Sequence, residues 1–189
     1  MSDCVFCHIV AGDVESSRVH EEARVVAFMD IQLVNPGHVL VVPREHAASL
    51  AELDDRDAAA MMAAARRVAG ALRRSGLRCD GVNLWLADGD AAGQHVFHVH
   101  LHVVPRFEGD GFALELPADV RVRDRPELDA TAARIRSAFC AGKGHPVSDT
   151  CQRGVREVSD TSLRGVREVS ETCQRQDLDL QGFSFGAQS

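Results

Sequence analysis

The stretch Gln94-His95-Val96-Phe97-His98-Val99-His100-Leu101-His102-Val103-Val104 narrows the possible folds more than any other part of the chain. Histidines at 98, 100 and 102 alternate with Val99, Leu101 and Val103, the period of a β-strand with one polar and one apolar face. The pattern predicts a strand over 97–104, with neighbouring imidazoles on one face about 6.6 Å apart at roughly 3.3 Å rise per residue. Core packing alone rarely produces three such residues in alternation. The three rings can bind a metal, relay a proton, or present one nucleophile between two partners. Zinc–nitrogen distances of about 2.0–2.1 Å do not easily let all three converge on one ion from a single strand. Dividing them between tasks is the simpler arrangement.

Around this strand, residues 1–141 read as one folded unit. Val25–Met29 and Val39–Val42 are short runs suited to strands, the second preceded by the turn signal Asn35-Pro36-Gly37. Asp54, with Asp57 three residues on, marks a helix start. Ala58, Met61, Met62, Ala65, Val68, Ala69 and Leu72 then recur at helical spacing, and Arg73, Arg74 and Gly76 close the helix. A strand is expected over 82–86, and a last helix from near Pro126 through Phe139. Residues 142–189 differ: Asp149–Ser159 and Asp160–Ser170 are successive copies of an 11-residue repeat, and a third begins at Glu171. Few large apolar residues and a glycine in each full copy argue for a poorly ordered tail, with an interaction element as the alternative.

The formal net charge of −7 excludes a nucleic-acid-coating role, which needs a basic surface. No apolar run approaches the roughly 18–20 residues that span a bilayer, and Met1-Ser2-Asp3-Cys4 lacks the basic and apolar regions of a secretory signal. The expectation is a cytoplasmic protein with reduced thiols and no membrane partner. Cys4 and Cys7 are then half of a four-ligand zinc site, a redox pair, or two small buried residues. Cys79, Cys140, Cys151 and Cys173 show no partner pattern and read as free thiols.

Gly93-Gln94-His95 followed by His98-Val99-His100-Leu101-His102-Val103-Val104 resembles the signature of the histidine-triad (HIT) family, His-φ-His-φ-His-φ-φ, where φ is apolar. Phe28-Met29-Asp30-Ile31 and Gly37-His38-Val39-Leu40-Val41-Val42-Pro43 resemble two further segments of that family, in the same order. The Cys-x-x-Cys pair is similar to that of its bacterial zinc-containing branch. The resemblance implies an α+β HIT-like fold, an antiparallel sheet with two helices, in a homodimer. It implies a nucleotide hydrolase that attacks the α-phosphate of a dinucleoside polyphosphate or nucleoside phosphoramidate, the nucleotide being a purine and adenosine favoured. His100 is the implied nucleophile, forming a nucleotidyl-histidine, with His102 and His38 on the phosphate or leaving group. Asp30 is the implied ribose contact, Phe28 and Ile31 line the base pocket, and Asn83 and the backbone near Gly93, Gln94 and Val96 donate to phosphate. Zinc is implied at Cys4, Cys7, His46 and His98, a structural site. His95 departs from the family's Ser or Thr, although an imidazole also serves as a general acid. A nucleotidyl transferase or phosphorylase, or a silent nucleotide sensor or scaffold, are the alternatives.

Overall fold

The computed structural model describes residues 4–113 and 121–141. The repeats and the expected boundary at 141/142 lie outside the described residues or at their edge. Two compact units divide the chain, Met1–Glu115 and Leu116–Ser189.

In the first unit the elements run α1 (Val5–Ala11), β1 (Arg18–Glu21), β2 (Val25–Met29), β3 (Val39–Pro43), α2 (Asp55–Leu72), β4 (Gly81–Trp85) and β5 (Leu101–Arg106), with a 3₁₀ turn at Asp90–Ala92 before the histidine segment. The strands form one antiparallel sheet in the order β1-β2-β3-β5-β4. The sheet and α2 follow the sequence pattern; β1 and the seven-residue α1 did not show in it. Helix α2 starts where Asp54 accepts the backbone N–H of Arg56. Buried Asp57 takes the Arg24 guanidinium at 2.7 Å, which pins the start of α2 to the strand β2.

Each face of the sheet has its own apolar layer. Met61, Ala64, Ala65, Val68 and Leu72 of α2 pack on Val25, Ala27, Val39, Val41, Val99, Leu101 and Val103. Met62 turns away from this layer and is exposed, so the apolar stripe is narrower than the sequence pattern proposed. On the opposite face Phe6 and Ile9 of α1 pack on Val26, Phe28, Leu40 and Val42. This second face also carries the histidines. Alternation along the strands therefore sends the aliphatic side chains to α2 and the imidazoles toward α1.

The ladder of β5 begins at Leu101, not at Phe97. Its neighbour β3 ends at Pro43, which has no N–H to continue the pairing. The chain before Leu101 instead ties to a loop: the N–H of Val99 donates to the Ala47 carbonyl at 2.8 Å. Gly37, at φ +99°, makes the turn into β3 where a Cβ would meet the Leu72 and Leu77 side chains at 2.9 and 3.0 Å. That turn delivers His38.

In the second unit α3 (Arg125–Ala141) is capped by Asp124, whose side chain accepts the N–H of Glu127. Among the described residues no helix is long and apolar enough to cross a membrane.

Candidate active site and zinc site

His100 is buried, with 6% of its surface exposed. Its Nδ1 lies 2.7 Å from the carbonyl of His98. A carbonyl only accepts, so Nδ1 carries a proton, and Nε2 is the nitrogen that holds the lone pair in the neutral tautomer. Phe6 presses edge-on against the ring, with centroids 5.2 Å apart. The ring that lines the cavity is thus held by its Nδ1, with Nε2 on the side away from that carbonyl.

His102 receives the complementary assignment through a relay. The N–H of Val34 points at His38 Nδ1 at 3.3 Å, which leaves the His38 proton on Nε2. That Nε2–H meets His102 Nδ1 at 2.9 Å. His102 then holds its own proton on Nε2. Burial, followed by the neighbouring His100 and His38, pushes the pKa of His102 down to about 4, and burial lowers that of His38, so both stay neutral at pH 7. Asp30 lies beside the relay, with Oδ2 3.5 Å from His38 Nε2 and Oδ1 accepting from the N–H of Gln32. His100 therefore offers a lone pair, and His102, 5.0 Å away between ring centroids, an N–H.

Both histidines line a cavity of about 980 Å³. That is the upper end of the size of a small-molecule site. Phe6 and Phe28 build its buried wall, ring to ring at 5.6 Å. Asp30, Ile31, Gly93, His95 and Val96 complete the lining, with Ile31 and His95 exposed at the mouth.

The third histidine of the alternation faces other partners. His98 Nε2 donates to the Pro43 carbonyl at 3.0 Å, which frees Nδ1. That nitrogen lies 3.5 Å from Cys4 Sγ and 3.6 Å from Cys7 Sγ, while His46 Nδ1 lies 3.3 Å from Cys7 Sγ. All four donor atoms fall within 4.8 Å of one another. A tetrahedral zinc with bonds of about 2.3 Å to sulfur and 2.0–2.1 Å to nitrogen sets its ligands roughly 3.5 Å apart, close to the 3.3–3.6 Å of these three contacts, so the donor set fits the ion. The carbonyl behind His98 is the outer partner that fixes a metal-bound imidazole.

Residues 11–109 match the family model described as HIT domain. The chain belongs to the HIT family. A HIT-like protein of Borreliella burgdorferi is 40% identical over 116 residues, 61% of this chain and 84% of that one. A solved zinc-bound histidine triad protein of Mycobacterium smegmatis is 41% identical, with a TM-score of 0.57 over 72% of this chain and 97% of the other. A histidine triad nucleotide-binding protein of Candida albicans is 25% identical, with a TM-score of 0.66 over 74% of this chain and 99% of the other. HIT membership supports nucleotide hydrolase- or transferase-type chemistry in general. The donor set and the zinc-bound relative together make Cys4, Cys7, His46 and His98 a zinc-binding site.

Not every residue expected at the HIT site reaches it. His38 does not line the cavity; it lies behind His102 and sets that ring's proton. Gln94 is buried and fully committed: Oε1 accepts from Gly89, and Nε2 donates to the Ala48 and Val96 carbonyls. It shapes the loop that offers Gly93 and Val96. Asn83 lies outside the cavity lining, and its Oδ1 accepts from Arg106. The register explains this: Asn83 opposes Val104, two pairs beyond Trp85–His102. Trp85 and the α1 residues Val5, Phe6 and Ile9 line the cavity without having been singled out. The spacing of Phe6 and Ile9 was a legible but brief helical signal, and Trp85 shares a strand face with Asn83.

Proposed function

We propose that this HIT protein hydrolyses nucleotides at the α-phosphate through a nucleotidyl intermediate on His100. The observation that carries the reading is the 2.7 Å contact of His100 Nδ1 with the His98 carbonyl, which fixes the ring with Nε2 as the nitrogen available to the cavity. In the first half-reaction the Nε2 lone pair forms a bond to phosphorus, and the bond from phosphorus to the leaving group breaks. The leaving group takes a proton from His95 at the cavity mouth, while His102 Nε2–H donates to a phosphoryl oxygen as its charge grows. In the second, water bonds to phosphorus, the Nε2–phosphorus bond breaks, and the water proton returns to His95. Asp30 accepts from the ribose, and Phe28 with Ile31 takes a purine base, adenine first. The favoured substrate is a dinucleoside polyphosphate, ahead of a nucleoside phosphoramidate.

Zinc, bound by Cys4, Cys7, His46 and His98, supplies structural cross-linking and no chemistry at phosphorus. Those residues bind the N-terminus to the start of the catalytic segment, and His98 meanwhile orients His100 through its carbonyl.

We also read the protein as a cytoplasmic homodimer. Strand β4 is an edge, and Val82 and Leu84 beside Ala59, Met62, Ala63 and Ala69 of α2 form an apolar groove suited to a second copy.

The test is rapid quenching with a radiolabelled dinucleoside polyphosphate, followed by mass analysis of peptides. The expected result is a nucleotidyl adduct on the peptide carrying His100. Hydrolysis without any adduct sinks the covalent mechanism, acceleration by inorganic phosphate with a nucleoside diphosphate product favours a phosphorylase, and binding without turnover a sensor.

A further inference from the structure

Trp85 is the single tryptophan of the chain, and 47% of it is exposed. It stands on β4 directly opposite His102. The indole lies over that imidazole with centroids 5.6 Å apart and planes 34° from parallel. It lines the cavity together with His95 and His100. Strand alternation turns Trp85 to the histidine face, whereas Val82 and Leu84 turn to the α2 face with its separate groove. The exposed indole is therefore not part of that groove.

The cavity thus has two aromatic surfaces, one at each end of the histidine pair. Phe6 abuts His100, Phe28 packs against Phe6, and both are buried. Trp85 abuts His102 and is open. A nucleoside whose α-phosphorus sits at His100 occupies the enclosed wall beside Phe28, so the leaving group is left with the open one. An aliphatic amine gains little from an indole face. A nucleobase gains stacking, which costs little order because the indole is already held against His102.

We propose that Trp85 is a stacking platform for a leaving group that ends in a nucleobase, and that it sets a preference for dinucleotides over substrates with aliphatic leaving groups. This rests on the nucleotidyl-transfer reading of the same cavity. The test compares the parent, Trp85→Ala and Trp85→Phe on diadenosine tetraphosphate and on an adenosine phosphoramidate of an alanine ester. Trp85→Ala should lower kcat/KM for the dinucleotide about tenfold, mainly through KM, and change the phosphoramidate less than about twofold. Trp85→Phe should recover most of the loss. Equal losses on both substrates, or none on the dinucleotide, overturn the proposal while leaving the hydrolase reading intact. If the parent turns over neither, the hydrolase reading fails and the platform is judged by fluorescence. Stronger quenching of Trp85 by the dinucleotide than by AMP supports it, and equal or absent quenching overturns it.

Discussion

His98 and His100 are two residues apart on one face of one segment, yet they are wired in opposite senses. His98 gives its Nε2 proton to the Pro43 carbonyl and turns Nδ1 to two thiols. His100 gives its Nδ1 proton to the His98 carbonyl and turns Nε2 to the cavity. In both a backbone acceptor decides which nitrogen stays free, and the surroundings decide what that nitrogen meets. A metal ligand and the proposed nucleophile thus differ here by the placement of a carbonyl.

The comparison breaks most sharply at His100→Ala. Turnover should fall on the order of 10⁴-fold or more while bound zinc, measured by metal analysis, stays at the parent level. Loss of zinc in that variant, or retained turnover, would show that the two halves are not separable. Cys4→Ser attacks the other half. It should release zinc and cost about 3 kcal/mol or more, a drop of roughly 6–12 °C in Tm for a chain of this size. A parent-like melt with zinc retained would remove the thiol from the site.

Acid probes the relay behind His102. Burial pushes its pKa down to about 4 in the folded chain, against 6.5 for a free imidazole, so the native state binds fewer protons between those values and stability falls as pH drops from 6.5 toward 4. The loss is on the order of 3 kcal/mol at the lower end, and it is absent above the unfolded value. His102→Gln should flatten Tm against pH in that window; an unchanged slope would place the sensitivity elsewhere. The smallest effect is expected at Asn83→Ala, with kcat/KM within about twofold of the parent, because Asn83 contacts Arg106 and lies outside the cavity lining.

Much of this site was legible because it is local. A period of two put His98, His100 and His102 on one face, and a resemblance in the same segment divided them between zinc and chemistry. The residues that eluded sequence reasoning have roles set by remote partners. His38 is 64 positions from the ring it polarises. Asn83 and Trp85 share a strand face, and only the register with β5 shows which of them meets His102. Helix α1 is too short to declare itself by periodicity, yet it supplies the wall against His100.

By itself, then, the sequence determined a half-apolar sheet, a long capped helix and a face of imidazoles, since each follows from side-chain period and local backbone preference. Tertiary structure alone decided which imidazole nitrogen carries the proton and what each free nitrogen faces. Those outcomes depend on carbonyls, thiols and aromatic rings brought in from distant parts of the chain, at distances of a few ångströms that no spacing along the chain specifies.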